Sequence, residues 1–234
     1  MLRDLIKSER LGALRHITIG YEQDWAGTPE SRSGWRFENP TQGSCVYDFS
    51  HILDLLRWIV GDPTETSGIV FTLVNEQLRR ARHGVDPEDS FNSMVQLKSG
   101  ETAFLHASRV ATGRKGGQYI EITGSLGAVR WNMEDLTHLH VYFTSDEKSG
   151  LAGFRKIMVT EPSHPFQEYW YAPGHVMGWD DTVTHQWISF ISAIAGSEDS
   201  TSHDYATFED GAQAVRLADA IRESSRTSSP VEVN

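Results

Sequence analysis

The chain has 234 residues, 38% hydrophobic and 23% charged, an ordinary globular composition with enough length for a substantial core. Its formal net charge of -11 argues against nucleic acid and anionic membranes as partners. Cys45 is the only cysteine, which excludes an internal disulfide or a cysteine-based metal cluster and fits a reducing compartment.

"MLRDLIKSER" is charged throughout and lacks a secretory apolar core, and no apolar run reaches the ~18 residues of a membrane span, so a cytoplasmic protein is expected. Residues 2–10 read as a short helix stopped by Gly12. "LRHITIGY" alternates, with Ile17, Ile19 and Tyr21 on one side, as a half-buried strand does. Residues 22–44 are rich in Gly, Pro and Ser but carry Trp25, Trp35 and Phe37, so a packed functional loop is expected. "YDFSHILDLLRWIVG" then gives a helix over 47–60, ended by Gly61 and Pro63.

The middle is strand-rich. "SGIVFTLV" is continuous and β-branched, "SFNSMVQLKSGETAFLHASR" is two strands about "KSG", and "QYIEITGSLGAVRWN" is a pair about "GSLG". "THLHVYF" and "FRKIMVT" complete about seven strands. No helical pattern separates them, so the sheet is expected to be mainly antiparallel. Helical spacing returns with Val183, Trp187, Phe190, Ile191 and Ile194, closed by Gly196. It recurs with Phe208, Ala212, Val215, Ala218 and Ile221 after a capping box from Thr207 to Asp210, and "VEV" ends the chain as a short strand. The fold class is α+β: one domain over 1–234, an open, mainly antiparallel sheet with helices on one face. The opposite face is expected to be apolar and to bury itself in a homodimer or larger assembly.

Within residues 47–61, helical spacing puts Tyr47, His51, Asp54 and Trp58 on one face, with Asp48 also in reach of His51. The apolar set Phe49, Ile52, Leu53, Leu56 and Ile59 or Val60 makes the core contact. A histidine flanked by carboxylates suits general acid/base chemistry. The competing reading is an acid that caps backbone amides beside an ordinary histidine. His51 with Asp48 or Asp54, joined by His175 or His185, would also offer a metal nitrogen and oxygen ligands. No HExxH or close helical His pair accompanies them, so no metal is expected. GxGxxG, GxxxxGK[ST] and GxSxG are absent. "ATGRKGGQ" is either a mobile loop or an anion-tolerant pocket rim. "WYAPGHVMGWDDTVTHQW", with Trp179, is either a loop packed by its own aromatics or a surface for sugar C–H faces and hydroxyl edges.

Several segments, in order, resemble the C-terminal domain of the glucose–fructose oxidoreductase / inositol dehydrogenase / MocA family. They are "LIKSERLGALRHITIGYEQDW", "GWRFENPTQGSCVYDFSHILDLLRWIVGDP", "SGETAFLHASRVATGRKGGQYIEITGSLGAVRWN" and "FISAIAGSEDSTSHDYATFEDGAQAVRLADAIRESS". The resemblance implies an NAD- or NADP-dependent oxidoreductase of sugars or polyols, with the open sheet as oligomer interface. It implies His51 as catalytic acid/base with Asp48 as partner. Trp35, Arg36, His175 and His185 would line the substrate pocket, and Asp54, Arg109 and Trp179 are counted with them. Two departures stand out. The family's N-terminal Rossmann domain, with its glycine-rich loop and lysine, has no counterpart here, so the resemblance implies that a separate Rossmann partner or a missing segment supplies NAD(P). Many members also place an acid four residues before the histidine, where this chain has Tyr47.

Overall fold

The computed structural model describes residues 1–28, 30–38, 43–61, 69–75, 87–97, 99–196 and 205–233. Pro63, the expected helix stop, lies outside the described residues. The strands are β1 (Leu14–Glu22), β2 (Ile69–Asn75), β3 (Ser90–Gln96), β4 (Thr102–Ser108), β5 (Gly117–Gly124), β6 (Gly127–Asn132), β7 (His138–Phe143), β8 (Arg155–Met158) and β9 (Val231–Glu232). The helices are α1 (Leu2–Lys7), α2 (Cys45–Asp48), α3 (Ser50–Val60), α4 (Trp179–Ile194) and α5 (Phe208–Thr227).

Among the described residues the sheet has nine strands in the order β8-β7-β6-β5-β1-β4-β3-β2-β9. Every pairing is antiparallel except β1 with β4. That exception arises because the first strand is inserted between β4 and β5. "ATGRKGGQ" therefore crosses over β1 instead of turning a hairpin. Period-two alternation puts Ile17, Ile19, Leu105, Ile122 and Val129 on one face, each 0–1% exposed, under the helices. Gly124 lets the N-terminal turn close on the sheet edge, since a Cβ there would lie 2.1 Å from the Leu11 carbonyl oxygen.

The open face is mixed, with apolar side chains at β3 and β4 and polar ones towards β8. The register aligns Met94, Phe104, Thr18, Glu121, Arg130, His140 and Lys156 in one row. Met94 and Phe104, each 41% exposed, are the large apolar members of this span, whose register continues from Met94 to Phe71 of β2.

The helices differ from the sequence reading in four ways. α1 ends at Lys7, not at residue 10, and a chain of turns carries residues 8–12. The helix expected over 47–60 is two helices, broken at Phe49 (φ −103°, ψ 24°). The break lets Phe49 and Ile52, Leu53, Leu56 and Ile59 all reach the core, at about 1.5–3 kcal/mol for each large side chain. α5 has its Thr207–Asp210 capping box, but it buries Ala214, Leu217, Ala218 and Ile221, while Phe208, Ala212 and Val215 face outward. α4 starts at Trp179, before the first expected helical position Val183, and Ser189 is its one buried residue while its apolar stripe is exposed. No described helix is long and apolar enough to cross a membrane.

Candidate functional site

His51 sits in the first turn of α3 because the backbone bends at Phe49 immediately before it. Its ring packs edge-on against Tyr21 of β1 at 4.8 Å and lies 5.8 Å from the Phe49 ring. Those contacts make it the wall between two clefts. The larger, about 610 Å³, is lined by His51, Asp54, Trp58, Gln118, Tyr205 and Asp210, among others. The smaller, about 310 Å³, is lined by His51, Tyr21, Gln23, Trp25, Arg36 and Asp48.

The ring is open to solvent along one edge, but its concave surroundings displace much of its water. Burial therefore lowers the His51 pKa, and the nearby Asp48 carboxylate opposes the shift. Burial thus biases His51 towards the neutral form that can accept a proton.

Asp48 does not cap a helix: neither α2 nor α3 has a side-chain cap bond at its start. The carboxylate is held by Arg36, whose Nε donates to Oδ1 at 3.1 Å and to Oδ2 at 3.0 Å. Arg36 also lies 4.3 Å over Trp35 and 5.7 Å over Trp25. Tyr47 does not share the His51 face. Its hydroxyl donates to Asp219 of α5, and Arg222 stacks on its ring at 5.2 Å. Asp54 is in the larger cleft and pairs with Arg57, whose Nη1 also donates to the Asp210 carbonyl at 2.8 Å. Arg3 covers Trp58 at 4.6 Å.

Arg109 lies behind the site. It is 0% exposed, and it donates to Asp89 Oδ1 and to the Gly43 and Glu88 carbonyls. Arg32 Nη1 meets the same carboxylate at 2.9 Å from both oxygens. Both guanidiniums lie over the Phe37 ring, at 4.7 and 4.9 Å from its centre, and Phe37 meets Trp25 edge-on at 5.9 Å. This cluster packs the 22–38 loop and presents Trp25 and Arg36 to the smaller cleft.

The remaining candidates lie elsewhere. His185 accepts from Trp170 Nε1 and stacks on Phe166 at 4.6 Å, and burial lowers its pKa. It lines a third cavity, of about 480 Å³, that shares Tyr205 and Ala206 with the larger His51 cleft. His175 bonds the Pro173 carbonyl at 3.1 Å and lines none of these cavities, and neither do Trp179 and Trp35. Tyr21, Trp25, Gln118 and Tyr205 reach the clefts without having been singled out for them in the sequence. Strand alternation assigned Tyr21 to the core, and nothing local marks Gln118 or Tyr205.

The larger cleft juxtaposes acceptors (Asp54, Asp210, His51), amide and phenol groups (Gln118, Tyr205) and the Trp58 plane, which suits a polyhydroxylated small molecule. No described group of three His, Cys, Asp or Glu residues is placed to hold a metal. A dinucleotide fits less well. β1 leads into the packed 22–38 loop, not a glycine turn and helix, and the cations of 113–117 are engaged. Arg114 pairs with Glu22 and Glu134, and Lys115 with Asp24. The described residues thus give a pyrophosphate no cradle.

Residues 3–233 match the sequence model of an oxidoreductase family's C-terminal alpha/beta domain, the Gfo/Idh/MocA C-terminal domain. Levoglucosan dehydrogenase of Pseudarthrobacter phenanthrenivorans is 30% identical over 252 residues, covering 100% of this chain and 63% of that protein. The structure of an oxidoreductase domain protein from Kribbella flavida superposes with a TM-score of 0.87 at 31% identity, covering 100% of this chain and 63% of its own. Levoglucosan dehydrogenase in complex with NADH and levoglucosan gives a TM-score of 0.86 at 29% identity, covering 99% of this chain and 62% of its own. The chain therefore spans less than two thirds of these relatives.

Proposed function

Because the chain belongs to the Gfo/Idh/MocA oxidoreductase family as its C-terminal alpha/beta domain, we propose that it is the substrate-binding and catalytic part of an NAD(P)-dependent oxidoreductase. Its substrate is a sugar or polyol, oxidised at a CH–OH group. The observation that carries this reading is the place of His51, its pKa lowered by burial, at the wall of a polar, aromatic cleft. Oxidation of an alcohol needs a base for the hydroxyl proton, and a lowered-pKa imidazole accepts it at neutral pH. Asp48, fixed by Arg36, favours the resulting imidazolium electrostatically. The hydride is not assigned to any residue of this chain, and a Rossmann domain supplies its acceptor. Met94 and Phe104 on the open sheet face are the proposed contact of a homo-oligomer.

The test fuses this chain to the part of Pseudarthrobacter levoglucosan dehydrogenase that it does not match. The fusion is assayed with NAD and NADP over a panel of sugars and polyols. Turnover is expected on at least one substrate, and His51→Asn lowers kcat by about 10²–10⁴ with little change in substrate affinity. Equal turnover in the variant, or none on any substrate, overturns the reading. The missing dinucleotide cradle also motivates a second reading, a non-catalytic sugar-binding module. Sugar binding by calorimetry that is indifferent to His51→Ala, with no cofactor-dependent activity, supports that one.

A further inference from the structure

α2 is a single turn, Cys45–Asp48, and a helix that short has no rigidity of its own. Its four side chains set its direction. Cys45 and Val46 are 0% exposed and belong to the core. Asp48 is gripped by Arg36 on the cleft side. Tyr47 is gripped on the α5 side. Its hydroxyl donates to Asp219 and accepts from Arg222 Nη1 at 3.4 Å, and the Arg222 guanidinium lies 5.2 Å over its ring. Burial, and then the Asp219 bond, raise the Tyr47 pKa, so the phenol keeps the proton it donates.

The turn passes its direction to His51 through one hinge. Phe49 sits at φ −103° and ψ 24°, in the sparsely populated bridge region, and α3 begins at Ser50. Were the backbone straight there, Tyr47 and His51, four apart, would be neighbours on one face, about 5–6 Å between their Cβ atoms. Instead Tyr47 reaches α5, while the His51 ring meets Tyr21 at 4.8 Å and Phe49 at 5.8 Å. A straight helix points both side chains the same way, so the Tyr47 bond to Asp219 holds the bend. That bond lies at a groove of about 470 Å³ also lined by Glu223 and Arg226, which shares no lining residue with either His51 cleft.

We propose that Tyr47 is a positioning residue for His51: its bond to Asp219 fixes the bend at Phe49 and, through it, the placing of the imidazole against Tyr21, as a base for the oxidoreductase reading above, on which the inference rests.

Nuclear magnetic resonance of the full chain reads that placing, because the ring currents of Tyr21 and Phe49 act on the His51 ring protons. Tyr47→Phe keeps the ring and loses the bond, and is expected to move the His51 Hε1 and Hδ2 resonances towards their unfolded positions. Asp219→Leu is expected to do the same, whereas Asp219→Asn, which keeps an acceptor oxygen, leaves them in place. In the levoglucosan dehydrogenase fusion, Tyr47→Phe is expected to lower kcat about 10–100-fold with KM within about twofold, as when a reacting group is misplaced by ~1 Å. Unmoved His51 resonances in Tyr47→Phe and Asp219→Leu overturn the proposal even where their thermal midpoints fall, since the bond then serves stability alone. Equal displacement by Asp219→Asn and Asp219→Leu also overturns it. Moved resonances with no turnover by the fusion on any substrate leave the positioning standing and remove the oxidoreductase reading. Turnover with unmoved resonances does the reverse.

Discussion

Replacing Asp89 with Asn isolates the cluster that builds the smaller cleft. Asp89 is 3% exposed and accepts from Arg32 at 2.9 Å to both oxygens and from Arg109 at 3.1 Å. Asn keeps the shape but removes the charge and turns an NH₂ towards two guanidiniums. Arg109 keeps its two carbonyl partners, while Arg32 loses the carboxylate it meets at its one described salt bridge. Uncoupling a buried pair costs about 3–5 kcal/mol. With a urea m-value of about 3 kcal/mol/M for a chain this long, the midpoint falls by roughly 1–1.7 M. Asp146→Asn, which breaks a surface pair with Arg155, is the control and is expected to cost under about 1 kcal/mol. Urea melts followed by circular dichroism read both. An Asp89→Asn shift below about 0.3 M, no larger than the control, would refute the claim that this carboxylate anchors the 22–38 loop.

Other consequences are as direct. Arg36→Met frees the Asp48 carboxylate to face His51, so the His51 pKa rises in a nuclear magnetic resonance titration of the ring, and a pKa that stays put or falls contradicts the assigned pairing. Burial holds the His51 pKa below that of the unfolded chain, so the unfolded state binds more protons in the window below pH ~6.5. Stability is therefore lost as pH falls through that window, and His51→Asn flattens this part of the profile in melts at pH 5 to 7; an unaltered slope assigns it to other groups. Gly124→Ala forces a Cβ against the Leu11 carbonyl oxygen at 2.1 Å and is expected to cost at least about 1–3 kcal/mol, read as a lowered thermal midpoint.

Much of the fold is legible from period alone. Alternation locates the strands, and β-branched runs with Gly-containing turns bound them, because one face of the sheet is buried and the other is not. Period cannot show that β1 enters between β4 and β5, since that depends on pairings distant in sequence. Nor does it see the break at Phe49. The spacing of Tyr47 and His51 is helical, but the bend lets Tyr47 turn to Asp219 while His51 faces Tyr21. The apolar stripe of α4 reads like any core helix. Only the packing shows that nothing described in this chain covers it. Of the site, His51 stands out through its neighbouring acids. Gln118 and Tyr205 are ordinary residues that become cleft walls through tertiary placement.

The place of β1 in the sheet has a consequence for how the protein is made. It is complete at Glu22, yet its partners begin at Thr102 and Gly117. At ordinary elongation rates of ~5–20 residues per second, an alternating strand with two open edges waits about 5–20 s for them. During that wait Ile17 and Ile19 have neither ladder nor core. The sheet closes at its centre late, and the span between β1 and β4 has to be looped before either edge is satisfied. The nascent chain is thus most vulnerable to mispairing just when its most buried strand is already made, which makes holdase chaperones or fast elongation across residues 23–116 natural guardians of its yield.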